Sequence, residues 1–173
     1  MERRPLFIFV EGEDDERFFS TVVVPLVRDR YTARIVKWRR MRKEKIENYL
    51  RSAEGMGAEY IFVADIDTSK SVREKKRKIK KEVRNIKMDR IAVVVREIES
   101  WYLAGLDKDA ERELRIPHFE RTDELTKEKF DSIMPERFAP RRDFMVEILK
   151  RYSVEVAERK NGSFREFMEK FVK

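Results

Sequence analysis

Blocks of apolar residues alternate with segments of helical periodicity along the first hundred positions of the chain. Four apolar blocks predict β-strands, over residues 6–10, 33–38, 60–66 and 90–98. Three amphipathic segments predict helices between them, over residues 14–30, 42–57 and 71–86. Regular alternation of strand and helix is typical of a parallel sheet covered by helices. We therefore predict an α/β fold with an open parallel four-stranded sheet and helices on both faces.

The pattern changes after Leu106, where buried-strand blocks stop and prolines separate short helical segments. Four more helices are predicted, over residues 107–114, 126–133, 141–152 and 163–171. Phe and Met recur at helical spacing in these segments, as they do in helices that pack a core. We predict an α/β domain over 1–105 and a helical C-terminal extension over 106–173 that packs on it.

Composition limits the chemistry open to the protein. Charged residues make up 43% of the 173 positions, hydrophobic residues 41%, and Cys is absent. The absence of Cys excludes disulfides, thiolate metal sites and thiol nucleophiles. Abundant Lys, Arg and Glu with no Gln is a composition typical of thermophilic proteins. No apolar block approaches the ~20 residues of a membrane span, so we expect a cytoplasmic protein.

The positive charge is concentrated in one segment. The net charge is +7, and residues 73–87 hold nine Lys or Arg against two Glu. Such a block is either a solvated helix face or a surface for a polyanion such as nucleic acid. For the second case we expect phosphate contacts from Lys70, Lys76, Lys80 and Arg84.

Acidic residues stand at the ends of the first and third predicted strands. Glu11 ends the first in "LFIFVEGEDDERFF", and Asp65 and Asp67 end the third in "FVADIDTSK". Carboxyl ends of parallel strands meet at one edge of a sheet, and alternation puts Asp65 and Asp67 on one side, so the three carboxylates should converge. Such a cluster suits Mg²⁺ or Mn²⁺. The alternative is that each acid is a helix cap or a surface ion pair, and Asp14 or Asp15 is the expected cap of the first helix.

The first and third strand ends resemble the TOPRIM domain, the Mg²⁺-binding module of topoisomerases, bacterial primases and OLD-type nucleases. The resemblance covers residues 5–100 and rests on an apolar strand ending in Glu-Gly and a later one ending in Asp-x-Asp. It implies an acid/base role for Glu11 and metal coordination by Asp65 and Asp67. It also implies that Gly12 lets the backbone approach a phosphate.

The chain is also similar to small stand-alone prokaryotic TOPRIM-like proteins, through "ESWYLAG" and the final "SFREFMEKF". The fourth predicted strand ends in Glu97 and Glu99, which have no equivalent in the core motif. They either join a second metal site, as in OLD-type enzymes, or cap a helix that begins at Ser100.

The resemblance implies Mg²⁺-dependent phosphoryl transfer on nucleic acid, and a nuclease that uses water is the simplest form. The second hypothesis is a non-catalytic TOPRIM-like module that binds nucleic acid or docks a protein partner, or a homodimer of such modules. A third is a phosphatase of the HAD type, because "ADIDTS" resembles the Asp-x-Asp-x-Thr motif of that family. HAD enzymes carry the motif on their first strand, whereas here it follows the third.

Two other features have competing interpretations. His118 is the only histidine and falls in a predicted loop, so it is a weak candidate for catalysis. Trp101 and Tyr102 follow the last predicted strand and either stack on a nucleobase or pack the helical extension onto the sheet.

Overall fold

The structure, a computed structural model, describes residues 2–173. The predicted α/β class is confirmed, because four parallel strands form one sheet in the order β2-β1-β3-β4. The strands are β1 (Arg4–Val10), β2 (Tyr31–Lys37), β3 (Glu59–Asp65) and β4 (Ile91–Val94). The sheet therefore places β1 and β3, the two strands that end in the predicted site acids, side by side.

Strand register fixes which residues meet at the carboxyl edge. Ile8 lies between Ile35 of β2 and Ile61 of β3. Pairing with β2 continues past its last residue, because the Trp38 N–H donates to the Val10 carbonyl at 2.8 Å. The residues that follow β1, β2 and β3 are consequently brought to the same edge of the sheet.

The first helix spans the predicted segment in three parts: α1 (Glu13–Phe18), a π turn (Phe19–Val23) and α2 (Val24–Val27). Pro25 lies in the first turn of α2, where a missing N–H is tolerated, and the π turn comes immediately before it. Two further helices follow in this part of the chain, α3 (Lys43–Gly55) and α4 (Val72–Glu82). Both are somewhat shorter than predicted.

One face of the sheet packs against α3 and α4. Phe9 of β1 and Phe62 of β3 lie in one buried cluster with Ile46 of α3 and Ile79 of α4. Side chains alternate between the faces of a strand, so the equally buried Ile8 belongs to the opposite face. Burial on both faces explains why β1 and β3 are continuous apolar blocks.

The fourth strand is shorter than predicted. It ends at Val94 rather than at 98, and Arg96 adopts a left-handed backbone conformation with φ 67°. A residue in that conformation cannot continue a strand, and the chain turns directly into helix α5 (Ile98–Ala104). Glu97 and Glu99 therefore lie at the start of a helix and not at a strand end.

Contact density divides the chain into one compact unit that ends at Val93 and another that comprises Val94–Lys173, so the division falls before the predicted boundary at 105. The second unit is helical: after α5 come α6 (Lys108–Leu114), α7 (Lys127–Ile133), α8 (Arg141–Lys150), α9 (Val154–Lys160) and α10 (Gly162–Phe167), which a π turn extends over Met168–Val172. Helix α9 was not predicted. Among residues 2–173, no helix is long and apolar enough to cross a membrane.

Candidate active site at the carboxyl edge of the sheet

Glu11 is a buried carboxylate that an arginine neutralises. It directly follows β1, is 5% exposed, and accepts a hydrogen bond from Nη2 of Arg39 at 2.9 Å. The Arg39 backbone N–H also donates to the Glu11 carbonyl at 3.3 Å. Main-chain pairing beyond β2 thus places the guanidinium beside the carboxylate.

Arg39 lies within electrostatic range of three carboxylates. Burial acts to lower the pKa of Arg39, but the charge and hydrogen bond of Glu11, followed by the charges of Asp15 and Asp65, raise it overall. The side chain of Arg39 is nevertheless 65% exposed. Sequence reasoning missed this residue, although it follows a strand at the same edge as the predicted acids.

Asp15 and Asp65 supply the other two buried carboxylates. Asp65 is the last residue of β3 and is 9% exposed, whereas Asp15 lies in α1 and is 7% exposed. Asp15 Oδ2 accepts the Gly12 N–H at 3.2 Å, which confirms the predicted cap of the first helix. Asp15 is therefore both a cap and a member of the acidic group, a second role that its sequence position did not indicate.

Asp67 is placed differently from Asp65. Strand β3 ends at Asp65, and Asp67 sits in the following turn with φ 50°, so the alternation expected to align the two side chains does not reach it. Its side chain is 58% exposed and accepts a hydrogen bond from Nζ of Lys75 at 2.9 Å. Lys75 itself is a buried residue of α4. Asp67 thus links the end of β3 to the basic helix.

A cavity of about 480 Å³ lies at this edge, and both acids and bases line it. Glu11, Gly12 and Asp14 come from the end of β1 and the start of α1, while Lys37 and Arg39 come from the end of β2. A Cβ on Gly12 would come no closer than 3.9 Å to another group, the Arg39 Nη1. The space in front of the Gly12 backbone is therefore open.

The predicted phosphate contacts differ in their availability. Lys70 is exposed ahead of α4, and Lys76 is half-buried within it. Nζ of Lys80 donates to the Ile86 carbonyl at 2.5 Å, so this ammonium group ties the segment after α4 to the helix. Arg84 is exposed, and only its backbone N–H is engaged, by Glu47 at 3.0 Å.

Glu97 and Glu99 make structural contacts within the second unit. Glu97 Oε2 accepts the Lys127 N–H at 2.7 Å, so it caps the start of α7 rather than the helix it precedes. Burial raises the pKa of Glu97, the Lys127 N–H opposes that shift, and the charges of Glu99 and Glu128 add to it. Glu99 is 5% exposed and accepts a hydrogen bond from Nη2 of Arg141 at 2.5 Å.

The aromatic pair and the histidine of the second unit also have defined partners. Trp101 and Tyr102 are fully buried, and the Trp101 indole N–H donates to the Ser163 hydroxyl at 2.8 Å, so the pair packs inside the second unit and presents no ring to a nucleobase. Nδ1 of His118 lies 2.6 Å from a carboxylate oxygen of the buried Glu111, and Nε2 lies 3.1 Å from Glu120. His118 thus bridges two carboxylates.

The donor chemistry of the sheet edge is compatible with a magnesium ion. Within residues 2–173, no group of three or more acidic, His or Cys side chains is arranged as a metal cage. Mg²⁺, however, commonly uses one or two carboxylates and takes its other ligands from water and substrate phosphates. Glu11 and Asp65, on neighbouring strand ends, provide two such carboxylates.

Comparison with known proteins assigns neither a family nor a function to the chain. No protein-family model matches the chain, and neither does any curated protein or solved structure.

Proposed function

We propose that this protein is a Mg²⁺-dependent nuclease whose active site is the carboxyl edge of the sheet. The observation that carries the proposal is the placement of two buried carboxylates, Glu11 and Asp65, at the ends of neighbouring strands, with the guanidinium of Arg39 bonded to Glu11. Buried acids of this kind are rare unless a cation compensates them. The position, outside the carboxyl ends of parallel strands, is where open α/β sheets bind their ligands.

Glu11 and Asp65 would hold the metal ion. The ion they hold would supply Lewis-acid polarisation of the scissile phosphate and stabilisation of the charge that develops on it. Asp67 would join the ligands by exchanging its contact with Lys75, which its exposed position in the turn allows. For Asp65 and Asp67 these assignments agree with the roles that the TOPRIM resemblance implies, whereas for Glu11 the resemblance implies an acid/base role.

The protein's own residues would bind the phosphate and move the proton. Arg39 presents a planar set of N–H donors that matches phosphate oxygens, and its exposed side chain is able to turn from Glu11 to the substrate. As water attacks the phosphorus, Glu11, released from Arg39, would accept its proton; the P–O bond to the leaving sugar oxygen would break, and solvent would protonate that oxygen. The exposed bases of α4 and the preceding Lys70 would hold the backbone of the nucleic acid.

A non-catalytic nucleic-acid-binding module is the second candidate. Arg39 already neutralises Glu11, and the described residues contain no three-ligand metal group. Both observations are compatible with acids that serve only to position Arg39. The basic helix α4 would support binding in either case.

The test is cleavage of labelled DNA and RNA panels in Mg²⁺, Mn²⁺ or EDTA at elevated temperature. We expect metal-dependent cleavage that Glu11→Gln and Asp65→Asn each abolish. Glu13→Gln is the matched control, because Glu13 is an exposed acid that lines the same cavity, and it should keep activity. Salt-sensitive binding without cleavage in any metal would favour the binding module, and equal cleavage by all variants would indicate a contaminating nuclease.

A further inference from the structure

A second cavity, of about 360 Å³, opens on the face of the sheet that α3 and α4 cover. Its walls are mainly apolar, and they include Trp38, Met41 and Phe62 together with Ile79 of α4. This volume falls at the small end of ligand pockets, which favours a single ring system over an extended ligand.

Trp38 gives the cavity a fixed aromatic wall. Its indole ring stacks on Phe62 with a centroid distance of 5.0 Å and an interplanar angle of 25°. The indole N–H donates to the Val63 carbonyl at 2.9 Å, so the polar edge of the ring is already satisfied by the protein. Packing and the hydrogen bond together hold a half-buried aromatic ring in one orientation at the cavity wall.

The charged groups around the cavity are mainly cationic. Arg39, Lys43 and Lys75 line it, against one acid, Glu82. Arg39 also lines the acidic cavity and bonds Glu11, and Lys75 bonds Asp67. The apolar cavity and the carboxylate site are therefore joined through two residues that contact the predicted catalytic acids.

We propose that this cavity binds one nucleobase of the nucleic acid whose phosphate lies at Arg39. The inference rests on the proposed function and names the part of the substrate that the carboxylate site does not contact. A nucleobase is flat, is carried beside a phosphate, and stacks on aromatic side chains whatever its sequence. That combination matches an aromatic, apolar cavity with cations at its rim, whereas an acidic or aliphatic side chain would match only one of the two features.

The test compares two ligands on the wild-type protein in EDTA, where no metal-dependent cleavage occurs. Adenosine 5′-monophosphate and ribose 5-phosphate share the sugar phosphate and differ in the base. Calorimetric titration should show tenfold or tighter binding of the nucleotide, about 1.4 kcal/mol. Equal affinities, or no binding of either ligand, would overturn the proposal without use of any variant.

Two variants then locate the base. Trp38→Leu removes the aromatic wall and should bring the nucleotide down to the affinity of ribose 5-phosphate. Tyr31→Leu also removes an aromatic ring, at a partly exposed residue at the start of β2, remote from the carboxyl edge. It should leave the difference in affinity between the two ligands intact. Retained base preference in Trp38→Leu would overturn the assignment to this cavity.

Failure of the nuclease proposal and failure of the cavity proposal give different results. Base-dependent binding that needs Trp38, without cleavage of any substrate, would leave the nucleobase cavity standing and favour the binding module. Cleavage by wild type together with equal binding of the two ligands would leave the nuclease standing and reject the cavity.

Discussion

Nη2 of Arg39 lies 2.9 Å from Oε2 of Glu11, and this contact joins a largely exposed cation on the segment after β2 to a buried carboxylate at the end of β1. Removing one partner of such a pair leaves the other buried without compensation, which costs more than the pair itself contributes. The same contact blocks Glu11 from acting as a base until Arg39 moves. Arg39 is therefore the residue on which both stability and the proposed chemistry depend.

Arg39→Gln should lower the free energy of unfolding by about 1–2 kcal/mol, since the carboxylate is buried but the guanidinium is partly screened by water. Chemical denaturation measures this change. Arg40→Gln is the matched control, because Arg40 is an exposed neighbour that lines the same cavity, and it should change stability by less than about 0.5 kcal/mol. If the double variant Arg39→Gln/Glu11→Gln loses as much as the two single changes together, the residues are not energetically coupled.

Metal affinity should respond in opposite directions to changes at this edge. Glu11→Gln and Asp65→Asn should each weaken Mn²⁺ binding tenfold or more in calorimetric titration, about 1.4 kcal/mol, because each removes a carboxylate ligand. Arg39→Gln should strengthen it, because the guanidinium no longer competes for the same oxygens. Unchanged affinity in all three variants would mean that these acids do not bind the metal and serve only as counter-ions of Arg39.

The sheet was predictable because its strands are buried and its helices are amphipathic. The four strands and three intervening helical segments follow the predicted order, since burial on two faces leaves continuous apolar blocks in the sequence. Strand β4 was overextended because Ile98 was counted with the apolar block "IAVVV" across the charged Arg96 and Glu97, whereas the left-handed conformation of Arg96 ends the strand earlier. Helix α9 was missed because apolar and charged residues alternate at the start of its seven-residue sequence, "VEVAERK", as they do in a strand.

The site was only partly predictable. Glu11 and Asp65 follow from the rule that strand ends gather at one edge, but Arg39 is one of several consecutive bases in "WRRMRK", and charge alone does not single it out. The signal available was its register, directly after a strand that neighbours β1. Asp67 was grouped with Asp65 by alternation, which fails because the strand ends between them.

Two glycines provide a test of packing in the structure. A Cβ on Gly105 would lie 2.3 Å from the ring of Tyr152, whose hydroxyl donates to the Trp101 carbonyl at 2.7 Å and holds the ring in place. Gly105→Ala should therefore destabilise the protein by about 1–3 kcal/mol through overpacking. Gly55 ends α3 with no atom within 4 Å of a Cβ, so Gly55→Ala should be neutral or stabilising by up to about 1 kcal/mol. Thermal denaturation of both variants measures the contrast, which equal melting temperatures would contradict.

The single histidine allows a direct pH measurement. Hydrogen bonds to Glu111 and then to Glu120 raise the pKa of His118 above 6.5, while partial desolvation and the charge of Lys160 oppose the shift. Because the folded pKa lies above the unfolded value, the stabilisation is complete below about pH 6.5 and is lost as the pH rises through the folded pKa. The stability difference between wild type and His118→Asn should thus be largest below that pH and shrink above it.

The His118 pKa itself is open to NMR, since the chain has no other histidine ring to assign. A titration midpoint at or below 6.5 would contradict the bridge between the two carboxylates. Glu120→Gln should lower the midpoint while leaving the Glu111 contact in place.

The basic helix should contribute to the salt dependence of nucleic-acid binding. Each phosphate contact adds roughly 0.7 to 0.9 to the slope of log affinity against log salt concentration. Lys76→Glu/Arg84→Glu should flatten that slope by at least about 1.4, whereas Lys80 is omitted because its ammonium group holds the Ile86 carbonyl. Lys129→Glu/Arg142→Glu makes the same charge change at exposed residues of the second unit and controls for net charge. Equal slopes for the two double variants would mean that Lys76 of α4 and Arg84 after it are solvated, and that the polyanion is held by other residues.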